Sequence, residues 1–299
     1  MTATRTRLRA SRGTWGFLIV AWLAGAASAA PPPTTAEAPG LADRRQAAAA
    51  VPLDRLETAD RDACAKCLRA ATLYRRLPPA AVACDAEFLD FVLERPEVLV
   101  DVWRVLGISR LALDPLGPDR WRLADGYGTV GSVRLVHRER QGDGGLFVYL
   151  GRGGYSGPLT PQPLTGSCVV IVRHAPVAID ANGGARHEVR IDAFLDVDGL
   201  GLELVTRALQ PLIVHSAAAN LREIAVFVSQ FARAAERNPA AVARLTSRMS
   251  RTSPEDRSTL VALAAGIETE PEGDATEDVQ ATLAARWLPV DQVDAPRRR

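Results

Sequence analysis

Lysine is almost absent from this chain of 299 residues. Only Lys66 among its 36 basic residues is a lysine, and the rest are arginines. Two explanations stay open: a bias in overall composition, or a specific use of arginine such as phosphate binding, to which a planar guanidinium is suited. Long apolar runs are also absent after residue 30, so we expect no transmembrane helix in the main part of the chain.

The first thirty residues carry the one long apolar run. Arginines at positions 5, 7, 9 and 12 precede GFLIVAWLAG, and the small residues of Ala27-Ser28-Ala29 follow. This order is typical of a signal peptide, so we expect residues 1–29 to direct export to the periplasm or cell envelope. An uncleaved membrane anchor stays open, because Thr14 to Ala30 is about 17 residues without a charge, close to spanning length.

Nucleic-acid binding has no electrostatic support. Loss of residues 1–29 removes four arginines and no acid, which changes the formal net charge from +1 to −3. A slightly acidic protein does not attract a phosphate backbone. We therefore expect no nucleic-acid partner, while association with a membrane surface and the oligomeric state stay open.

The motifs of several enzyme classes are also missing. A GxSxG nucleophile elbow is absent, and no strand is followed by a helix that returns to another strand, which excludes a doubly wound nucleotide-binding fold. The glycine cluster GRGGYSG at 151–157 leads into a proline-rich connection and another strand. We interpret it as a corner or bulge and not as a phosphate loop. We predict no cofactor and no metal site.

Composition divides the chain that follows the signal. Residues 30–57 are rich in alanine and proline, which predicts an unpacked linker. Residues 58–238 form the main domain, and residues 239–266 form two short C-terminal helices. Residues 267–299 begin with a run of acids, which predicts a disordered tail.

Within the main domain the spacing of the hydrophobic residues changes once, from a helical pattern to the alternation of strands. Helical spacing predicts an N-terminal helical segment from about 59 to 106, in which the first helix covers 59–77. After Gly107 apolar and polar residues alternate, most clearly over 186–197, which predicts strands with one buried and one largely wet face. The joins are short, so neighbouring strands should be antiparallel.

A long amphipathic helix follows the strands. Apolar residues recur at spacings of three and four from about 200 to 237, which predicts a helix packed against the apolar sheet face. Pro211 should kink or split it, because proline lacks the backbone N–H and crowds the preceding turn.

The order of these elements resembles that of the helix-grip or START-like superfamily of lipid-transfer proteins, polyketide cyclases and coenzyme Q-binding proteins. The resemblance covers about residues 86–238 and is carried by LVDVWRVLGISRLAL, GSVRLVHRE, RHEVRIDAFLDV and LELVTRALQPLIVHSAAANLREIAVFVSQFA. It implies an α+β fold in which a curved antiparallel sheet of about six strands wraps around the long C-terminal helix and leaves a cavity. One departure is that no strand is evident ahead of the first helices.

A cavity of this kind would be lined by inward side chains of both the sheet and the helix. Side chains alternate between the two faces of a strand, and those on one side of a helix recur every three or four residues. From these patterns we expect the lining to comprise Val133, Leu135, Val189, Ile191, Leu209, Ile213 and Phe227. His187 shares parity with Val189, and His137 shares parity with Leu135, so either could act as an acid or base in the cavity. Satisfied histidines near strand ends are the competing interpretation.

Four cysteines in an exported chain favour structural disulfides. Cys64 and Cys67 form a CxxC that is followed by leucine, which excludes haem attachment. We expect Cys84 to pair with Cys64 or Cys67, while free buried thiols, redox work and metal binding stay open. Cys168 begins an apolar strand and should be part of the core.

These observations favour an exported, non-enzymatic protein that binds a hydrophobic small molecule, lipid-like or quinone-like, between sheet and helix. Two alternatives stay open: a cyclase or aromatase that uses a cavity histidine, and a structural module that binds a protein partner through helices 239–265.

Overall fold

The computed structural model describes residues 40–157, 162–179, 185–198 and 202–266, and for residues 202–219 it describes the helix but not the side chains. These residues form an α+β protein with eight strands and seven α-helices. The strands are β1 Leu73–Arg76, β2 Ala80–Ala83, β3 Ala112–Gly117, β4 Arg120–Ala124, β5 Thr129–Gln141, β6 Gly144–Tyr155, β7 Leu164–Ile179 and β8 Ala185–Asp198. The helices are α1 Leu41–Ala49, α2 Thr58–Ala70, α3 Ala86–Glu94, α4 Pro96–Leu106, α5 Leu202–Arg237, α6 Pro239–Thr246 and α7 Pro254–Gly266.

The strands form one antiparallel sheet in the order β1-β8-β7-β6-β5-β4-β3, and β2 also pairs with β8. The predicted antiparallel arrangement is therefore confirmed, with eight strands in place of about six. The two added strands lie within the segment from about 59 to 106 that was predicted to be helical. The helix ends at Ala70, and Leu73 pairs with Leu195 while Ala80 pairs with Val189. A strand therefore does lie ahead of α3 and α4.

The side of the sheet that we call the inner face packs against α3 to α7. Val189 and Ile191 of β8 share one buried cluster with Phe227 and Phe231 of α5. The first residues of α4 follow the sequence pattern, with Pro96 in the first turn, and Gly107 ends the helix at a φ of 77°. α5 continues through Pro211 without a split.

The opposite side, which we call the outer face, is not largely wet as predicted. Val169, Ile171 and Phe194 are fully buried there under α1 and α2. Along β8 the even positions point to this face and the odd positions point to the inner face, because side chains alternate along a strand. Both faces of this part of the sheet are therefore covered.

The prediction that residues 30–57 form an unpacked linker is wrong for residues 41–56. Ala47 of α1 is fully buried, and Val51 and Leu56 are buried beside it. An ion-pair network holds α1 on the sheet: Arg76 lies 2.7 Å from Asp43 of α1 and 2.9 Å from Asp192 of β8. Composition missed this element because its contacts are with residues distant in sequence.

The C-terminal helices α6 and α7 are confirmed close to their predicted bounds. Asn238 accepts a hydrogen bond from the Ala241 N–H at 3.0 Å, which caps α6. Asp101 of α4 accepts the backbone N–H groups of Arg251 and Thr252 at 2.9 and 3.0 Å, and so holds the connection between α6 and α7. The buried carboxylate acts as a structural cap here.

Candidate functional site

A small apolar recess lies in the inner face where β4 to β8 run side by side. Leu123, Val133, Cys168 and Leu195 line it, together with a row of glycines. Its volume is about 20 Å³, which is enough for one water-sized group. The recess is therefore suited to one end of a ligand and not to a whole molecule.

The glycines create the recess by removing side chains from three neighbouring strands. Gly131 pairs with Gly153, and Gly153 pairs with Gly166, so one row of the inner face has no Cβ atoms across β5, β6 and β7. A Cβ on Gly131 would lie 2.7 Å from the Arg152 carbonyl oxygen. Glycine at this position is thus required by the close approach of the neighbouring backbone.

This placement corrects the interpretation of GRGGYSG as a corner. Gly151, Gly153 and Gly154 lie inside β6, with unbroken pairing to β7 on one side. A Cβ on Gly151 would lie 2.5 Å from the Cys168 sulfur, so the glycine makes room for the thiol in the recess. Within the described residues the cluster adjoins no helix N-terminus, which is where a phosphate loop would lie.

Thr129 supplies a polar atom at the recess. The residue is 1% exposed, and its hydroxyl Oγ1 has no hydrogen-bond partner among the described residues. Its backbone is held in place because Asp125 accepts the N–H of Tyr127 at 2.7 Å and that of Thr129 at 2.9 Å. Buried hydroxyls are normally paired, so a ligand or water that enters the recess finds one unused hydrogen-bonding group.

Of the seven predicted lining residues, Val133 lines this recess. Leu135, Val189, Ile191 and Phe227 lie instead in the closed inner core, where Phe227 packs edge-on against Trp103 with ring centroids 5.9 Å apart. Leu209 and Ile213 are within α5, but their side chains lie outside the described residues.

His187 faces the inner side of β8, as its parity predicts, but it is 2% exposed and does not line the recess. Its ring lies 5.5 Å from that of His174, with the planes nearly perpendicular. His174 is six residues from Cys168 along β7, or about 20 Å at 3.3 Å per residue. The buried histidine pair is therefore well separated from the recess.

The histidine pair has an acidic partner that sequence reasoning missed. His174 Nε2 lies 2.7 Å from Asp90 Oδ1 of α3, and His187 Nδ1 lies 3.1 Å from the Cys84 carbonyl oxygen. Since carboxylates and carbonyls only accept, these two nitrogens carry the protons. The remaining nitrogens, His174 Nδ1 and His187 Nε2, have no partner among the described residues.

Burial lowers the pKa of His174, an effect that Asp90 opposes and His187 reinforces. Asp90 is not available to His174 alone, because Arg140 Nε lies 3.0 Å from its other oxygen. The ring also needs the glycine at position 145, where a Cβ would lie 2.7 Å from His174 Nε2. The cluster is a closely fitted part of the core.

His137 lies elsewhere, because β5 is irregular. The register shifts between Leu135 and His137, which breaks the alternation on which its inward orientation was predicted. His137 Nε2 lies 3.4 Å from Glu139, which also pairs with Arg55 near α2 at 2.9 Å. His137 is thus associated with groups that pack on the outer face.

Glu97 is a second buried ionisable group without an obvious sequence signal. Burial raises its pKa to about 7, and the nearby Asp256 adds to the effect while Arg95 and a hydrogen bond from Trp121 oppose it. Its Oε2 has no hydrogen-bond partner among the described residues. The only sequence hint is an acid in the first turn of a strongly apolar helix.

The predicted disulfide between Cys84 and Cys64 or Cys67 is wrong: all four cysteines are free. Cys64 and Cys67 belong to the outer buried cluster and Cys84 to the inner one, so the sheet separates them. Burial raises the pKa of Cys64, Cys84 and Cys168 to about 12, which keeps these thiols protonated and unreactive near neutral pH.

Within the described ranges, no three His, Cys, Asp or Glu side chains are arranged to hold a metal ion. None of the helices in those ranges combines the length and apolarity needed to cross a membrane.

Comparison with known proteins leaves the family open. No family model and no curated protein matches the chain. Three solved structures show a distant likeness: a conserved protein from Geobacillus kaustophilus (10% identity, 52% of this chain and 95% of the other, TM-score 0.31), a protein from Rhizobium loti (16%, 50% and 97%, 0.28) and one from Rhizobium leguminosarum (13%, 51% and 95%, 0.29). At these TM-scores the likenesses support no conclusion about fold or function.

Proposed function

We propose that this protein binds an apolar small molecule, lipid-like or quinone-like, against the inner face of its sheet. The observation that carries this proposal is the recess: apolar side chains surround a floor of glycines, and one buried hydroxyl beside it lacks a partner. Ligand sites are commonly apolar with a few polar groups that fix orientation.

The arrangement of elements supports a helix-grip fold for this binding domain. β1 and β2 precede α3 and α4, six strands follow, and the long α5 comes next. The first strands pair with the last one, and α5 packs on the inner face through Phe227 and Phe231. The element that the sequence did not reveal, a strand ahead of the first helices, is thus present in the order the resemblance implies.

The recess size sets what part of the ligand it would hold. With room for one water-sized group, it would accept a methyl group, a ring edge or a terminal hydroxyl, while the rest of the ligand extends along the inner face. A group able to hydrogen-bond would pair with Thr129 Oγ1 and remove the cost of leaving that hydroxyl unpaired, about 1–3 kcal/mol.

A histidine-based enzyme has weaker support. His174 and His187 are buried about 20 and 26 Å from the recess along their strands, and their protonated nitrogens are already engaged by a carboxylate and a carbonyl. The carrier interpretation needs neither residue.

Native mass spectrometry of the protein purified from an exporting host tests the carrier proposal. We expect a retained apolar molecule, and the protein mass at the same time reports whether residues 1–29 are removed. Val133→Phe should fill the recess and reduce the retained fraction at least tenfold, whereas the matched change Val177→Phe, at an exposed position of β7, should not.

The hydroxyl gives a finer test. Thr129→Val keeps the shape and should weaken binding of a polar-ended ligand about 3- to 10-fold, the value of one hydrogen bond. A protein that carries no ligand, or one that retains it equally in all variants, would refute the proposed site.

A further inference from the structure

Part of the outer face has no helix over it in the described chain. α1 and α2 cover the section around Val169 and Ile171. Farther along the sheet, on β4, β5 and β6, several outward side chains are exposed to solvent. We call four of them the arginine surface: Arg120, Arg122, Val130 and Arg152.

The strand register brings the three arginines together. Arg122 pairs with Ser132, and Ser132 pairs with Arg152, so two arginines flank one small side chain. At about 4.8 Å between strands their Cα atoms are about 10 Å apart, and Arg120 lies about 7 Å farther along β4 on the same face. Like charges at this spacing repel one another unless an anion lies among them.

Nearby acids neutralise only part of this charge. Asp60 pairs with Arg134 and Asp114 pairs with Arg251, whereas Asp198 lies 3.5 Å from Arg152 itself and so offsets one arginine of the surface. Asp198 also accepts a hydrogen bond from Thr165 at 2.8 Å. Arg120 and Arg122 have no ion-pair partner among the described residues, so the surface keeps a net positive charge.

Exposed apolar groups accompany the arginines. Val130 is 60% exposed, and its cross-strand neighbours Ala124 and Gly154 are too small to cover it. Leu116, near the end of β3, and Tyr127, in the turn after β4, are 46% and 41% exposed. Arginine beside aliphatic and tyrosine side chains is the composition of surfaces that lie at a bilayer interface.

We infer that the arginine surface docks the protein on an anionic phospholipid bilayer. The guanidinium groups of Arg120, Arg122 and Arg152 bind headgroup phosphates, and Val130 contacts the apolar boundary below them. A purely acidic partner would match the charge but leave the exposed apolar side chains unused. The contact uses side chains of the outer face, although Val130 and Arg152 also border the recess, so vesicle binding and ligand retention are measured separately.

Vesicle co-sedimentation of the full chain tests this inference. The probes are vesicles of phosphatidylcholine with and without phosphatidylglycerol. The triple variant Arg120→Gln, Arg122→Gln and Arg152→Gln is compared with a control that removes the same charge from exposed positions on α2, α5 and α6: Arg69→Gln, Arg233→Gln and Arg244→Gln. Circular dichroism checks that both triple variants fold.

We expect the arginine-surface variant to bind phosphatidylglycerol vesicles about 100-fold more weakly than wild type, from the usual gain per arginine at an anionic membrane. The control should change binding little, and salt should weaken wild-type binding. A second variant, Val130→Asp, should also bind more weakly.

Equal binding by the two triple variants would overturn the inference, as would equal binding to vesicles without phosphatidylglycerol. The acidic segment 268–278 of this chain is the competing occupant. If wild type does not bind vesicles and hydrogen exchange in 268–278 speeds up only in the arginine-surface variant, the surface holds that segment and not a membrane. These outcomes leave the recess proposal untouched, because ligand retention is measured separately.

Discussion

The buried acid of the outer face of the sheet is joined to several partners, whereas several buried polar groups of the inner face have an atom left without one. Asp192, on the outer face, is fully buried and accepts from Tyr74, Arg76 and Arg173. On the inner side, Thr129 Oγ1 and His187 Nε2 have no partner among the described residues. The outer network attaches helices to the sheet, while the unpaired inner groups leave hydrogen-bonding capacity unused on that side.

The separation between paired groups on the outer face and unpaired groups on the inner face is not complete. Arg173, although it pairs with Asp192 through one terminal nitrogen, has an unpaired Nε. The two faces therefore differ in how fully their buried charged groups are paired, and the difference is one of degree. Three changes test it, in order of decreasing expected effect.

Removal of the outer carboxylate should cost the most. Asp192→Ala leaves Arg76 and Arg173 without their shared anion and detaches the support of α1, so we expect a loss of about 3 kcal/mol in the free energy of unfolding. Chemical denaturation measures it. Asp143→Ala, in the exposed turn between β5 and β6, is the control, and an equally small loss in both would contradict the structural role of Asp192.

Glu97 should make stability fall as pH rises. Its raised pKa means that the folded protein holds the proton more tightly than the unfolded chain, so its stabilising contribution is complete below pH 4.5 and is lost as pH rises through about 7. Glu97→Gln cannot ionise and should be about 2–3 kcal/mol more stable than wild type at pH 8, but not at pH 4.

Denaturation curves at both pH values check this, with the exposed Glu87→Gln of α3 as the control. If wild type and Glu97→Gln have the same pH profile, burial does not raise the pKa of Glu97 in the folded protein.

His174 should act in the opposite direction and with a smaller effect. Burial lowers its pKa, so its contribution is present above the unfolded value of about 6.5 and is lost as pH falls through the folded value. His174→Gln keeps a donor for Asp90 but cannot titrate. We therefore expect wild type to lose more stability than the variant between pH 7 and pH 5.

Thermal unfolding across this pH range measures the difference, and His137→Gln provides a matched histidine from the outer face. If His174→Gln loses more stability than wild type as pH falls, the group whose protonation destabilises the protein is not His174. The inner face would then not explain the pH dependence.

The regular elements could be predicted because their signals are local. The alternation over 186–197 and the proline at the start of α4 depend on nearby residues only, and both predictions agree with the structure. The strand Leu73–Arg76 could not be found in this way. It exists through its pairing with Leu195, which lies more than a hundred residues away.

Only part of the candidate site could be predicted from the sequence, because most of its contacts join residues that are distant along the chain. The alternation of side chains along β5 correctly placed Val133 at the recess. A single bulge after Leu135 turns His137 to the outer face, away from the predicted cavity lining. The partnership of Asp90 with His174 joins a helix and a strand that no spacing rule connects. The recess itself arises from three glycines on different strands, and their alignment is a property of the register.

By itself the sequence determined the fold class, the antiparallel pairing and the helices α3 to α7, because hydrophobic spacing, proline and short turns act over a few residues. Only the tertiary structure decided which cysteines are separated, which acids are buried, and that α1 and α2 cover part of the outer face. Those outcomes depend on which distant segments meet, and on the electrostatic cost of burying a charge where they do.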